Sequence, residues 1–177
     1  MFPTTKRTTP RVLLRVSLLL ALLLALAGIG KSQTASPCTS SQLSVKDEHG
    51  DSAMGGQRGE YYSFKNDSPS PCTLKGAPTF ALLDTAGHKI SGQKVTPTDD
   101  PAETVTLQPG GKAFFSIGYR SCSVARKAGY GGRCVTAAKL QIEAPGAKRA
   151  FVLKGGIDPE NLTVNVSPVM SKDPTAP

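Results

Sequence analysis

The feature that most constrains this chain is the position of its four cysteines, all of which follow an apolar N-terminal segment. The first eleven residues carry three basic side chains and no acid, and an apolar run then extends from Val12 to Ala27. A basic start, a short apolar centre and small residues at its end are the three parts of a secretory signal. We therefore predict a signal peptide over residues 1–27 and export to a secreted or periplasmic location. An uncleaved N-terminal anchor is the alternative.

The four cysteines form an even set, which in an exported chain predicts two disulfide bonds. They are Cys38, Cys72, Cys122 and Cys134. Three pairings are open to them, and we favour Cys38–Cys72 with Cys122–Cys134 because neighbouring partners close two separate loops. A zinc site would need closely spaced cysteine or histidine pairs, and this spacing offers none. The sequence therefore predicts disulfides, no metal site and no cofactor.

The net charge of the chain without its predicted leader is lower than that of the whole chain. The formal net charge is +8, and the leader carries four of the basic residues and no acid, so the remainder has a charge of +4. Such a mild positive charge favours anionic surfaces without specifying one. We predict no nucleic-acid partner, no membrane span after leader cleavage and a monomer. The organisation we expect is a linker over 28–37, one domain over 38–170 and a flexible tail over 171–177.

Short segments of alternating apolar and polar residues recur from Cys38 onward, separated by turn-forming residues. This period of two indicates half-buried β-strands, and no stretch outside the leader has the spacing of a helix. We predict strands over Gln42–Lys46, Glu60–Asn66, Thr79–Leu83, Lys89–Val95, Glu103–Leu107, Lys112–Tyr119, Ala138–Glu143, Ala150–Leu153 and Leu162–Val166. The expected fold is an all-β, immunoglobulin-like antiparallel β-sandwich of about 7–9 strands. Gly50–Gly59 is expected to form a glycine-rich loop.

The segment from Cys122 to Cys134 is basic and glycine-rich, and we predict that it forms a binding loop braced by its own disulfide. Its candidate binding residues, together with the arginine just before it, are Arg120, Arg126, Lys127, Tyr130 and Arg133. A solvated hairpin without a binding role is the alternative.

Catalytic equipment is scarce. His49 and His88 each stand beside a glycine, which predicts exposed turns, and neither has an evident partner to orient it as a base. We therefore predict no catalytic residues and no enzymatic activity. A small secreted hydrolase stays open, because a catalytic triad is defined by geometry rather than spacing. A metal-binding protein with copper held by histidine and Met54 also stays open.

Several segments together resemble a known family. They are Ser52–Gly56, Tyr62–Asn66, Cys72–Pro78, Phe80–Asp84 and Leu107–Gly110. This pattern is similar to Domain of Unknown Function 4232, a family of exported bacterial proteins, over roughly Cys38 to Val169. The most specific part is the Cys-Thr-Leu-Lys-Gly-Ala-Pro run that begins at Cys72.

The resemblance implies an immunoglobulin-like sandwich in a secreted or envelope protein, and it implies no activity. Family members often place the last cysteine nearer the final strand than Cys134 lies here. The Cys38–Cys72 pairing therefore carries over, whereas Cys122–Cys134 rests on the local argument alone. Taken together, the sequence predicts a non-enzymatic exported module that binds an envelope or extracellular partner, either a protein or an anionic polymer.

Overall fold

The computed structural model of the protein describes residues 35–129 and 132–175. The predicted signal peptide, most of the predicted linker and Tyr130 lie outside these residues. The strands are β1 Ser36–Pro37, β2 Leu43–Met54, β3 Gln57–Asn66, β4 Cys72–Lys75, β5 Thr79–Leu83, β6 Lys94–Pro97, β7 Thr104–Leu107, β8 Lys112–Arg120, β9 Lys139–Glu143, β10 Phe151–Lys154 and β11 Thr163–Val166. A 3-10 turn spans Ser40–Gln42, and one short α-helix, α1, spans Cys122–Lys127.

The described strands form three sheets. The largest has the order β2-β3-β8-β11-β6, and the two smaller sheets have the orders β1-β4-β7 and β10-β9-β5. Most neighbours are antiparallel, but β1 runs parallel to β4, and β6 runs parallel to β11. The all-β sandwich that the sequence predicts is therefore confirmed. The finer immunoglobulin-like arrangement stays a prediction.

Alternation along the strands builds one core from all three sheets. Phe64 on β3 stacks on Phe115 of β8 with ring centroids 5.0 Å apart, and it also contacts Phe151 of β10 at 6.3 Å. Leu74 on β4 and Leu140 on β9 are buried in the same cluster. Burial of one face of each strand is the main source of stability for such sheets, because apolar area leaves water there.

Two disulfides join Cys38 to Cys72 and Cys122 to Cys134. The first links the chain just after β1 to the first residue of β4, beside the parallel pair of Ser36 with Cys72. Ser36 and Pro37, the last two residues of the predicted linker, form β1. Closing the large loop between Cys38 and Cys72 restricts the unfolded chain and so stabilises the folded one.

The segment Gly50–Gly59 is not the loop that its glycines predict. It belongs to a long hairpin in which β2 and β3 are paired, with a tight turn at Gly55 and Gly56. Both turn glycines have positive φ, which other residues adopt at a cost. The pairing shifts register between Asp47 and Asp51, where His49 also has a positive φ of 53°. The glycines of this segment therefore lie in a hairpin that contains a register shift and a tight turn.

Candidate functional site

The predicted binding loop contains a helix that the sequence analysis missed. Helix α1 has six residues, too few for apolar spacing to reveal it. Its buried side includes Cys122 and Ala125. Val124 packs near the turn of the β2–β3 hairpin, because a Cβ added at Gly56 would lie 3.1 Å from its Cγ1. Arg126 and Lys127 therefore sit on a folded helix rather than on an open hairpin.

The start of α1 is held by Asp158, a residue distant in sequence. One carboxylate oxygen of Asp158 accepts a hydrogen bond from the backbone amide of Ser123 at 2.8 Å, and the other accepts one from the Ser121 hydroxyl at 3.0 Å. The backbone carbonyl of Asp158 accepts from the amide of Cys122 at 2.7 Å. An anionic acceptor at a helix start satisfies otherwise unpaired N–H groups.

The far end of the loop is fixed by the same segment of chain. Asn161 donates its backbone amide to the carbonyl of Arg133, and its side-chain oxygen accepts from the amide of Arg133 at 3.0 Å. Cys134 forms a β-bridge with Glu160 and a disulfide with Cys122. Residues 158–161 therefore hold both arms of the loop, and the disulfide closes them against each other.

The predicted binding residues divide into two groups. Arg120 ends β8 and forms an ion pair with Glu160 at 3.8 Å, and Arg133 donates to the backbone carbonyl of Ser91 at 3.2 Å. Arg126 and Lys127 lie exposed in the last turn of α1, and neither forms an ion pair with another described residue. Two cations are thus engaged within the domain, and two face solvent.

Arg126 and Lys127 also have a structural role where they stand. The carbonyl end of a helix carries partial negative charge, so basic side chains in the last turn stabilise it. The helix ends at Lys127, and two residues further on Gly129, whose φ is positive, donates its amide to the carbonyl of Arg126. An anionic ligand would therefore contact two cations in the last turn of a helix whose C-terminal end is capped.

The two histidines are exposed, with 84% and 82% of their side-chain areas open to solvent for His49 and His88. His88 closes a turn in which its backbone amide donates to Asp84 at 2.9 Å. This bond and those from neighbouring amides outweigh the opposing effect of desolvation and lower the pKa of Asp84. The described residues contain no group of three or more His, Cys, Asp or Glu placed to hold a metal ion.

One carboxylate with no evident role in the sequence is held by two tyrosine hydroxyls. Glu60 on β3 accepts hydrogen bonds from the hydroxyls of Tyr62 at 2.8 Å and Tyr119 at 2.6 Å. Burial, followed by the nearby Glu60 charge, raises the pKa of Tyr62 above its ordinary value. A signal was present in the sequence, because Glu60, Tyr62 and Phe64 alternate and so share one face of the strand.

Fold and disulfides define a small, all-β class of protein with two covalent cross-links. The chain belongs to the family described as domain of unknown function (DUF4232), whose model matches residues 38–170. This confirms the family resemblance in the sequence. Neither the curated proteins nor the solved structures contain a match. Among the described residues, no helix has the length and apolar character to cross a membrane.

Proposed function

We propose that the protein is an exported, non-enzymatic module that binds an anionic partner in the cell envelope through the exposed end of α1. The partner is an acidic protein surface or an anionic polymer. Export is supported by the predicted leader and by two disulfides, which form and persist in oxidising compartments. The proposal that the module is non-enzymatic is supported by the exposure of both histidines in their turns.

The observation that carries this proposal is the presentation of Arg126 and Lys127. Asp158 holds one end of their helix, and the Cys122–Cys134 disulfide restrains the loop around it. Two solvent-facing cations on a braced element lose less conformational freedom on binding than cations on a free loop. Such a surface attracts anions and speeds encounter at low ionic strength.

The test is retention of the full-length chain on isolated cell-envelope material over a range of salt concentrations. The double variant R126Q/K127Q should weaken retention on the order of tenfold at low salt, since exposed ion pairs each contribute up to about 1 kcal/mol. It should also reduce the dependence on salt, because fewer screened charges take part.

The matched control is K75Q/K148Q, which removes the same formal charge from two exposed lysines elsewhere. That variant should behave like the parent. Equal weakening by both double variants would show that net charge alone governs retention. Unchanged retention of R126Q/K127Q would contradict a role for α1.

A further inference from the structure

A cleft opens beside the Glu60 carboxylate. Its volume is about 430 Å³, within the range of small-molecule sites. One wall comes from the β2–β3 hairpin, and the other comes from the last residue of β10 and the chain that follows it. The lining residues are Asp47, His49, Glu60, Tyr62, Lys154, Gly155, Gly156 and Ile157. We call it the Glu60 cleft. It does not include the cations of α1, so a ligand bound there would be independent of the proposed function.

Two acids of this cleft stand where the strand pattern calls for core residues. Glu60 is opposite the buried Ile117 of β8, two residues before the buried Tyr62 on the same face of β3. Asp47 on β2 pairs with Tyr62 of β3. It lies two residues after Val45, which packs against the core. Since apolar residues would extend the core here, carboxylates at these two positions, of which Asp47 is 45% exposed, mark a place where stability is given up for another purpose.

The Glu60 carboxylate is held in a fixed orientation. Tyr62 and Tyr119 each donate to a different oxygen of it, and these two residues are only 1% and 7% exposed. A carboxylate can accept about four hydrogen bonds, so two phenols leave acceptor capacity on both oxygens. The group is therefore an oriented anion with room for a cationic donor.

The facing wall has different chemistry. Gly155 passes so close to Leu140 that an added Cβ would lie 2.6 Å from its Cγ, which pins the backbone there. Next to it, a Cβ at Gly156 would meet nothing within 4 Å, so this wall is bare backbone with open space in front. Lys154 lies exposed at the rim, and no described acid forms an ion pair with it. The wall thus offers one positive charge opposite two negative ones.

We propose that the Glu60 cleft binds a small zwitterionic amine, of the amino acid class. The ammonium group of the ligand donates to Glu60 and lies near Asp47, and its carboxylate lies near Lys154. Charge complementarity favours this class, because a simple cation leaves Lys154 unmatched and a simple anion faces two carboxylates. The two tyrosines act as positioning residues, since they orient Glu60.

The test is a titration of the full-length chain, kept in a mild non-ionic detergent, monitored by calorimetry and by NMR chemical shifts. The probes are glycine, β-alanine, 4-aminobutyrate and 6-aminohexanoate, which carry the same charges at increasing separation. One member of the series should bind best and saturably, because its charge separation will best match the reach from Glu60 to Lys154. Butylamine and butyrate, each with one of the two charges, should bind more weakly than that member.

Three variants locate the site. E60Q should weaken the best probe on the order of tenfold, as expected for loss of a charged hydrogen bond. K154Q should weaken it about threefold while leaving butylamine unaffected, because an exposed charge contributes less. D47N removes a partly exposed charge and should also weaken binding of the best probe. It still tests the location of the site if E60Q folds poorly. E48Q, which alters a glutamate of the same sheet outside the cleft, is the matched control and should bind like the parent.

Two results would overturn the proposal. One is the lack of saturable binding by every amino acid of the series in the parent protein. The other is binding that E60Q and D47N leave unchanged. Equal binding of butylamine and the best amino acid, with no effect of K154Q, would overturn the zwitterionic class.

Discussion

Asp158 accepts a hydrogen bond from the backbone amide of Ser123 at 2.8 Å, although the two residues are 35 positions apart. Ser121, the residue that precedes α1, makes no side-chain bond to the amides of the helix. Its hydroxyl donates to Asp158 instead. The cap of this helix is therefore supplied by tertiary structure, and α1 depends on the segment 158–161 rather than on its own sequence.

Replacing Asp158 should unfold or weaken the start of α1. We expect D158A to lower the free energy of unfolding by about 1–2 kcal/mol, which is the usual cost of losing a helix cap. D158N keeps an acceptor oxygen and loses the charge, so its loss should be smaller. Urea denaturation measures both. The control is D99A, at an exposed position away from α1, and a loss as large as that of D158A there would contradict the capping role.

The two disulfides should contribute unequally to stability. Chain-entropy arguments give about 4 kcal/mol for the loop closed by Cys38 and Cys72 and about 3 kcal/mol for the shorter loop closed by Cys122 and Cys134. We expect C38S/C72S to be the less stable of the two double variants in urea. An equal or reversed order would show that something other than loop closure, such as packing of α1, dominates the second bridge.

Glu48 should make the protein sensitive to acid. Burial raises its pKa, but hydrogen bonds from Lys112 and Ser63 outweigh that effect and hold the pKa below its ordinary value of 4.5. A lowered folded-state pKa means that the ionised form contributes stability above pH 4.5, and that this contribution is lost as the pH falls below it.

At neutral pH we expect E48Q to cost on the order of 1 kcal/mol, as is usual for a charged hydrogen bond partly open to water. The difference from the parent should shrink as the pH falls below 4.5. Urea denaturation across the acid range measures this. A difference independent of pH would mean that packing, and not charge, is what E48Q removes.

Tyr62 and Tyr119 should make the protein sensitive to alkali. Burial, together with the charge and hydrogen bonding of Glu60, raises the pKa of both hydroxyls above the ordinary value of 10.0. The neutral phenols stabilise the fold fully below pH 10, and this stability is lost as the pH rises further, by up to about 1.4 kcal/mol per pH unit for each tyrosine.

The measurement is phenolate absorbance alongside circular dichroism during an alkaline titration. We expect the absorbance of these two residues to appear only as the fold is lost. Y119F should remove part of the alkaline sensitivity and cost about 1 kcal/mol at neutral pH through its lost hydrogen bond. Ionisation of both phenols in the intact fold would contradict the role assigned to Glu60.

The sequence predicts the strands whose alternation is long and whose ends carry turn residues. Thr79–Leu83 has the predicted bounds because Pro78 and Asp84 flank it. Strand β4 is not evident in the sequence, because its four residues lie between Pro71 and Gly76 and resemble a turn region. The predicted strand Lys89–Val95 overlaps β6 by only two residues, since β6 pairs with β11 from Lys94 onward. The short strands β1 and β4 also raise the strand count among described residues above the predicted 7–9.

The sequence predicts which residues the candidate site contains, but it does not predict which of their side chains contact one another. The cations around Cys122–Cys134 stand out in sequence, whereas the pairing of Arg120 with Glu160 depends on two segments of chain that meet only in the fold. The role of Glu60 is similar, because its partner Tyr119 is 59 residues away. Alternation assigns each residue to a face of its strand, but only the register between strands decides which side chains meet.

The bond between Cys38 and Cys72 also determines how the domain would bear mechanical load. A pull on the chain ahead of Cys38 passes through the two sulfur atoms to Cys72, because residues 39–71 lie within a closed covalent loop. Strands β2 and β3 lie within that loop and cannot be stretched out from the N-terminal side while the bond is intact. The hairpin that carries Glu60 and Tyr62 is therefore shielded from tension, whereas β1 lies outside the loop and bears it.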